Sequence, residues 1–363
     1  MRSRPVSRRV ALSYLAWLPI GSAIAATPGG EEPFYLSAYR DNAGDFGIAV
    51  VGLDGGFSLK IRLPARGHGA LARPHSSQAV VVARRPGMFA LVFDRIHGGT
   101  VKTIQAAEGR HFFGHGVFSP DGRLFYATEN DFEGERGIIG IYDASAEYRR
   151  LGEWDSYGIG PHELILLPDG VTLAVANGGI LTHPDLPRLK LNLASMEPSI
   201  TFIDRRSGEV VGVLRAPREL HQLSLRHLAA RADGTVAIAA QWEGPETETP
   251  PLVGVGAMNR SLRLVNAPQP TQIAMKHYCG SVAFNGSGTH FAVTSPRGDT
   301  VTYWHADGRF DRAETLVDGG GVAPHRAGFA RSSGLGVLAD ASDRNVQTDL
   351  AWDNHLTMAD SLS

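Results

Sequence analysis

Residues 114–144 read GHGVFSPDGRLFYATENDFEGERGIIGIYDA. An apolar run headed by His115 meets a turn at Asp121-Gly122. A second apolar run follows, then a polar loop and a third run. Short runs bounded by small polar residues read as β-strands joined by tight turns. One such stretch would be an ordinary hairpin. Its recurrence decides the fold.

Five other stretches repeat the pattern. His68 opens HGALARPHSSQAVVVARR, His162 opens HELILLPDGVTLAVAN, and His227 opens HLAARADGTVAIAAQ. Ser281 opens SVAFNGSGTHFAVTS and His325 opens HRAGFARSSGLGVLAD. Successive heads are 44 to 65 residues apart, the span of a four-stranded propeller blade. Third strands are expected at 137–143, 198–204, 252–257 and 300–305. Inner strands buried on both faces show near-continuous apolar runs, as here.

The two ends complete each other. Residues 34–63 carry the second, third and fourth runs of a blade without the first, and residues 353–356, Asp-Asn-His-Leu, supply a first strand without a blade. Joining them closes a ring and removes exposed sheet edges. The expectation is an all-β, seven-bladed β-propeller with heads at 68, 115, 162, 227, 281, 325 and 355. Because 325 to 355 is a short interval, six blades is the alternative.

Residues 1–26 are read as an export signal, leaving 27–363 as one propeller domain. Arg2, Arg4, Arg8 and Arg9 precede an apolar run over 10–20, and Ala23-Ile24-Ala25 supplies small residues for cleavage. The pair Arg8-Arg9 before Val-Ala-Leu resembles a twin-arginine signal, which places the mature protein in the periplasm. The apolar run is too short to span a bilayer. Without the four leader arginines, 31 basic residues face 37 acidic ones. That balance, with no basic run, argues against nucleic acid as a partner. Cys279 is the single cysteine, so no internal disulfide can form. A monomer is expected.

Six of the seven heads are histidine: His68, His115, His162, His227, His325 and His355. First strands line the central channel, so equivalent heads meet at one mouth. Two readings stand. The imidazoles either satisfy loop backbones or hold a transition metal, iron or copper first, since neutral imidazole suits such ions. Second-strand ends add Glu129, Asn130, Asn177, Gln241, Ser295 and Asp340 to the rim, with Arg226 and Arg297 as cations. Glu163, next to His162, is expected to point away because strand neighbours alternate. The long insertion 178–197 is expected to cover the mouth, bringing His183 and Met196. Cys279 or His277 could replace the imidazole missing at Ser281.

The sequence has no Gly-rich phosphate loop, haem-attachment motif, H-E-x-x-H or G-x-S-x-G elbow, which leans against an enzyme. Three functional readings remain: a periplasmic metal-binding propeller, a non-catalytic interaction scaffold, and a metal-dependent hydrolase or redox enzyme using Glu129 as base.

The stretches GHGVFSPDGRLFYATEND, GIGPHELILLPDG, KLNLASMEPS, LSLRHLA, TSPRG and WDNHL together resemble an uncharacterised bacterial family, the domain of unknown function 1513. The resemblance covers nearly the whole mature chain. It implies a twin-arginine leader, a layout similar to seven-bladed propellers of periplasmic redox proteins, and a setting in iron uptake. Imelysin-like and other iron-uptake proteins are the partners it suggests.

Overall fold

Seven antiparallel sheets are arranged around one axis in the computed structural model, which describes residues 33–186 and 189–359. The proposed leader, including Arg8 and Arg9, lies outside the described residues.

Six blades are built from consecutive chain. Their innermost strands are Gly67–Ala72, Arg110–Phe118, Pro161–Leu166, Leu223–Ala230, Ser281–Phe284 and Gly319–His325. These strands contact one another around the ring. In the seventh blade Phe34–Arg40 pairs with Phe46–Gly52 on one side. On its other side lie Ala351–Trp352 and Thr357–Ala359, so the first and last described strands share one sheet. The ring closes as the sequence predicts, with seven blades rather than six.

Burial follows strand position. The middle strands Thr172–Asn177 and Val236–Trp242 are buried at every residue. The outer strand Phe57–Arg62 alternates between half-buried and exposed, as an edge strand with one wet face should. Apolar side chains fill the spaces between blades, for instance Leu223, Ile238 and Trp304 in one cluster.

The repeated Asp-Gly turn has a common geometry. Gly122, Gly170 and Gly234 each donate a backbone hydrogen bond at 2.9 Å to the carbonyl three residues earlier, from Ser119, Leu167 and Arg231. All three adopt positive φ, between 66° and 82°, where glycine carries no Cβ penalty.

The sixth blade departs from the sequence reading. Its first strand is Gly319–His325, which turns through Arg326-Ala327 into Gly328–Ser333. His325 therefore stands at the end of this strand, not at its head. A two-residue connection replaces the longer Asp-Gly turn of other blades, and the inner strand begins Gly-Gly-Gly with no polar marker. The repeat was consequently aligned one strand too late. Asp340, assigned to a second-strand end, lies beyond the third strand, where its carboxylate meets Arg344.

Candidate metal centre

In five blades the innermost strand is irregular close to its head. Pairing with the second strand slips between Gly67 and Ala70, Phe112 and Gly116, Pro161 and Glu163, Leu225 and His227, and Gly319 and Gly321. A bulge leaves residues outside the ladder and re-aims their side chains. His68, His115 and His162 lie within such slips, and His227 directly follows one. His355 stands in the irregular segment between the two short strands that close the ring.

These five imidazoles converge. Eight ring pairs among them have centroids 4.4–5.9 Å apart. All five residues are buried. Ligand nitrogens of His68, His115 and His162, and of His115, His227 and His355, fall within 4.8 Å of one another. Gly114 permits the approach: it adopts a φ of +110°, and a Cβ there would stand 2.6 Å from the His68 ring.

Carboxylates orient the rings from behind. Asp353 Oδ1 lies 2.8 Å from Nδ1 of His68, and Asp353 Oδ2 accepts from Nε of Arg66 at 2.5 Å. Glu163 Oε2 lies 3.1 Å from Nδ1 of His227 and also accepts from the backbone N–H of Leu228. Its other oxygen is 3.6 Å from Nδ1 of His115. A carboxylate at Nδ1 keeps the proton there and turns the Nε2 lone pair inward, the arrangement that supports metal-bound histidine. Glu163 thus points into the cluster, not away, because the slip beside His162 breaks strict alternation.

One pair of Nε2 atoms stands at the spacing that a shared ion would set. Nε2 of His355 and His68 are 3.2 Å apart. With nitrogen ligands ~2.1 Å from an ion such as zinc, cis pairs stand about 3.0 Å apart at a right angle and about 3.4 Å at the tetrahedral angle. Nε2 of His115 is buried without a hydrogen-bond partner. Burial is the largest influence on all five rings and favours their neutral, ligating form. Burial also pushes the Glu163 carboxyl up to about 8, so without a cation it holds a proton at neutral pH, and a metal ion bound among the rings would draw it into the carboxylate form. Asp353 is held below the usual carboxylate range, its hydrogen bonds to His68 and Arg66 and the charge of Arg66 opposing desolvation. His162 differs from the others, for its Nδ1 faces Nη2 of Arg226 at 3.4 Å.

The sixth predicted ligand is elsewhere. His325 Nδ1 lies 3.0 Å from the Tyr35 hydroxyl and has none of the five rings as a neighbour. The two remaining inner-strand heads carry Ser281 and the Gly320-Gly321 pair, and neither offers an imidazole. Cys279 does not substitute: it is buried against Leu252 and Ser295, and desolvation pushes its thiol up to about 12. His277 instead contacts the Glu248 carbonyl at 2.7 Å.

The predicted rim divides. Arg226, Gln241 and Arg297 line a cavity of about 140 Å³ over the histidines. Glu129 does not reach it. Its carboxylate accepts from the Tyr142 hydroxyl at 2.5 Å and from Arg150 at 3.0 Å, and desolvation raises its pKa. It has no position from which to act as a base at the imidazoles. Asn130 donates to His111 Nε2 and the Thr182 carbonyl, and Asn177 to the Ser156 carbonyl. Ser295 is buried beside Cys279. The insertion 178–197 does reach the cavity through Lys190. Met196 is buried, and His183 packs edge-on against Phe132. The sequence reading missed Asp353 as a ring partner, although its place two residues before His355 was visible.

Among the described residues no helix is long and apolar enough to cross a membrane. No curated protein matches the sequence. Among solved structures, the chain is similar to a hydrazine synthase chain from Kuenenia stuttgartiensis. That likeness has a TM-score of 0.62 and 14% identity, and it covers 88% of this chain and 97% of the other. At that identity the likeness concerns the propeller fold alone. Residues 61–359 match the family described as "Protein of unknown function (DUF1513)", and with all five clustered rings and their bracing acids inside the matched residues, the chain belongs to that family.

Proposed function

We propose that this propeller binds one transition-metal ion at its axis and serves metal handling in the periplasm, in support of iron uptake. The observation that carries the reading is the convergence of five buried imidazoles, with carboxylates behind His68, His115 and His227 and no partner on His115 Nε2. An all-nitrogen donor set without thiolate suits iron, copper, nickel or zinc, and iron and copper are the first ions to test. His115, His227 and His355, whose ligand nitrogens group together, would hold the ion, with His68 beside them at His355. The metal would supply a Lewis-acidic or redox-active centre, and the surrounding blades would shield it from bulk water.

Twin-arginine export, periplasmic location and an imelysin-like partner rest on the leader sequence and on the family resemblance. Elemental analysis of protein exported through its own leader tests the reading. About one metal per chain is expected, lost in the His115→Ala/His227→Ala double variant. Folded, exported protein that carries no metal and takes up neither iron nor copper would refute it.

A scaffold role is the second reading. Leu186, Leu189 and Leu191 stand exposed on the insertion that borders the cavity. Deleting 185–191 should abolish capture of an imelysin-like partner, and unchanged capture would count against docking there.

A further inference from the structure

The cavity above the histidines carries a charge the metal reading does not use. Arg84, Arg85, Lys190, Arg226 and Arg297 line it, against the single carboxylate of Glu243. Glu243 is taken by Lys190, with which it forms an ion pair. None of the four arginines has a carboxylate partner among the described residues. Arg297 lies over the Tyr278 ring, its guanidinium carbon 4.3 Å from the centroid.

Arg226 is the decisive residue. It is only 6% exposed, and its Nε has no hydrogen-bond partner. Its one polar side-chain contact is the 3.4 Å approach to His162. Burying a guanidinium without an anion is costly, and a chain rarely retains such an arrangement unless something neutral in sum completes it. Burial and the neighbouring Arg226 and Arg84 hold even the Arg85 guanidinium down to about 9.

We propose that this cavity is a binding site for a small oxyanion, a carboxylate or phosphate group gripped by Arg226 with Arg84, Arg85 and Arg297. Planar guanidinium forks match the paired oxygens of such groups. Size limits the ligand. At about 140 Å³ the space is well below the ~300 Å³ where pockets for larger organic ligands begin, so the anion has few heavy atoms. His68, His162 and His227 form the floor. An anion there lies next to the proposed metal site and can balance the charge of an ion bound in it. The anion site itself stands on the cavity and its cations and does not depend on that ion.

The test is calorimetric titration of chelator-treated protein at low salt with inorganic phosphate and, separately, with oxalate. Saturable binding of either is expected, and the tighter one identifies the group as phosphate or carboxylate. Arg226→Gln should weaken binding at least tenfold, and the exposed Arg297→Gln by several-fold, with Arg62→Gln unchanged. A His115→Ala/His355→Ala variant, which removes two of the clustered rings that do not line the cavity, should still bind the anion, which separates this site from the metal centre. The proposal is overturned if neither anion binds at millimolar concentration. It is also overturned if folded Arg226→Gln and Arg297→Gln proteins bind as the parent does.

Discussion

The carboxylate of Glu163 lies 3.1 Å from Nδ1 of His227, although 64 positions separate them in the chain and they belong to neighbouring blades. The same carboxylate lies 3.6 Å from His115 on the blade before its own. One acid therefore touches three consecutive blades at the axis: it is hydrogen-bonded to the Nδ1 of His227 and stands close to that of His115. This relation, more than the number of histidines, is what a ligand site would have and a mere crowd of buried rings would lack.

Replacing Glu163 with Gln keeps the size of the side chain and removes its capacity to ionise when a cation binds. Metal affinity should fall ~10–100-fold, the usual cost of losing a partner behind a ligating histidine. Competition titration against a chromophoric chelator reads this. Parent-like affinity would show that the carboxylate orients nothing.

His325 separates membership of the repeat from membership of the site. His325→Ala should leave metal stoichiometry unchanged, while loss of the buried contact with Tyr35 lowers stability by roughly 1–3 kcal/mol. Denaturant unfolding combined with elemental analysis distinguishes the two effects. Metal loss in a folded His325→Ala protein would contradict the assignment.

Acid should destabilise the chelator-treated protein. All five clustered histidines have folded pKa values below the ordinary 6.5. As pH falls through ~6.5, the unfolded chain takes up protons that the folded chain refuses, so stability is lost. Glu163 opposes this. Its folded carboxyl is pushed up to about 8, so between that value and the ordinary carboxyl range it adds stability as pH falls. Five rings outweigh one acid, and the melting temperature should drop steeply from pH 6.5 to 5. A flat profile over that interval would mean the rings are not buried neutral.

Gly114 allows His68 to pack beside its backbone. Gly114→Ala would combine a strained positive φ with a Cβ 2.6 Å from the His68 ring. The expected result is displacement of that ring and at least tenfold weaker metal binding in a protein that remains folded by circular dichroism. Unaltered binding would show the contact to be slack.

Ring closure can be tested by deleting residues 351–363. The deletion removes both C-terminal segments paired with Phe34–Arg40, exposes that strand's edge, and takes Asp353 and His355 with it. Lower melting temperature and concentration-dependent association are expected, because an unpaired edge recruits other strands. A monomeric, equally stable product would argue that closure adds little.

The blade count and the gathering of His68, His115, His162, His227 and His355 were legible in the sequence. Strand periodicity and repeat spacing are local properties, and a propeller brings equivalent positions to one axis whatever their distance along the chain. The sixth blade was misread because Gly319–His325 carries no polar head and turns within two residues, so the pattern locked onto the next strand. Glu163 was misassigned for a different reason: alternation predicts where a side chain points only while the ladder stays in register, and the slip at Pro161–Glu163 reverses it. Bulges, the pairing of Asp353 with His68 and the isolation of Arg226 from any acid come from contacts between blades. Such contacts are set by packing across the ring, where no sequence spacing records them, and only the tertiary structure decided them.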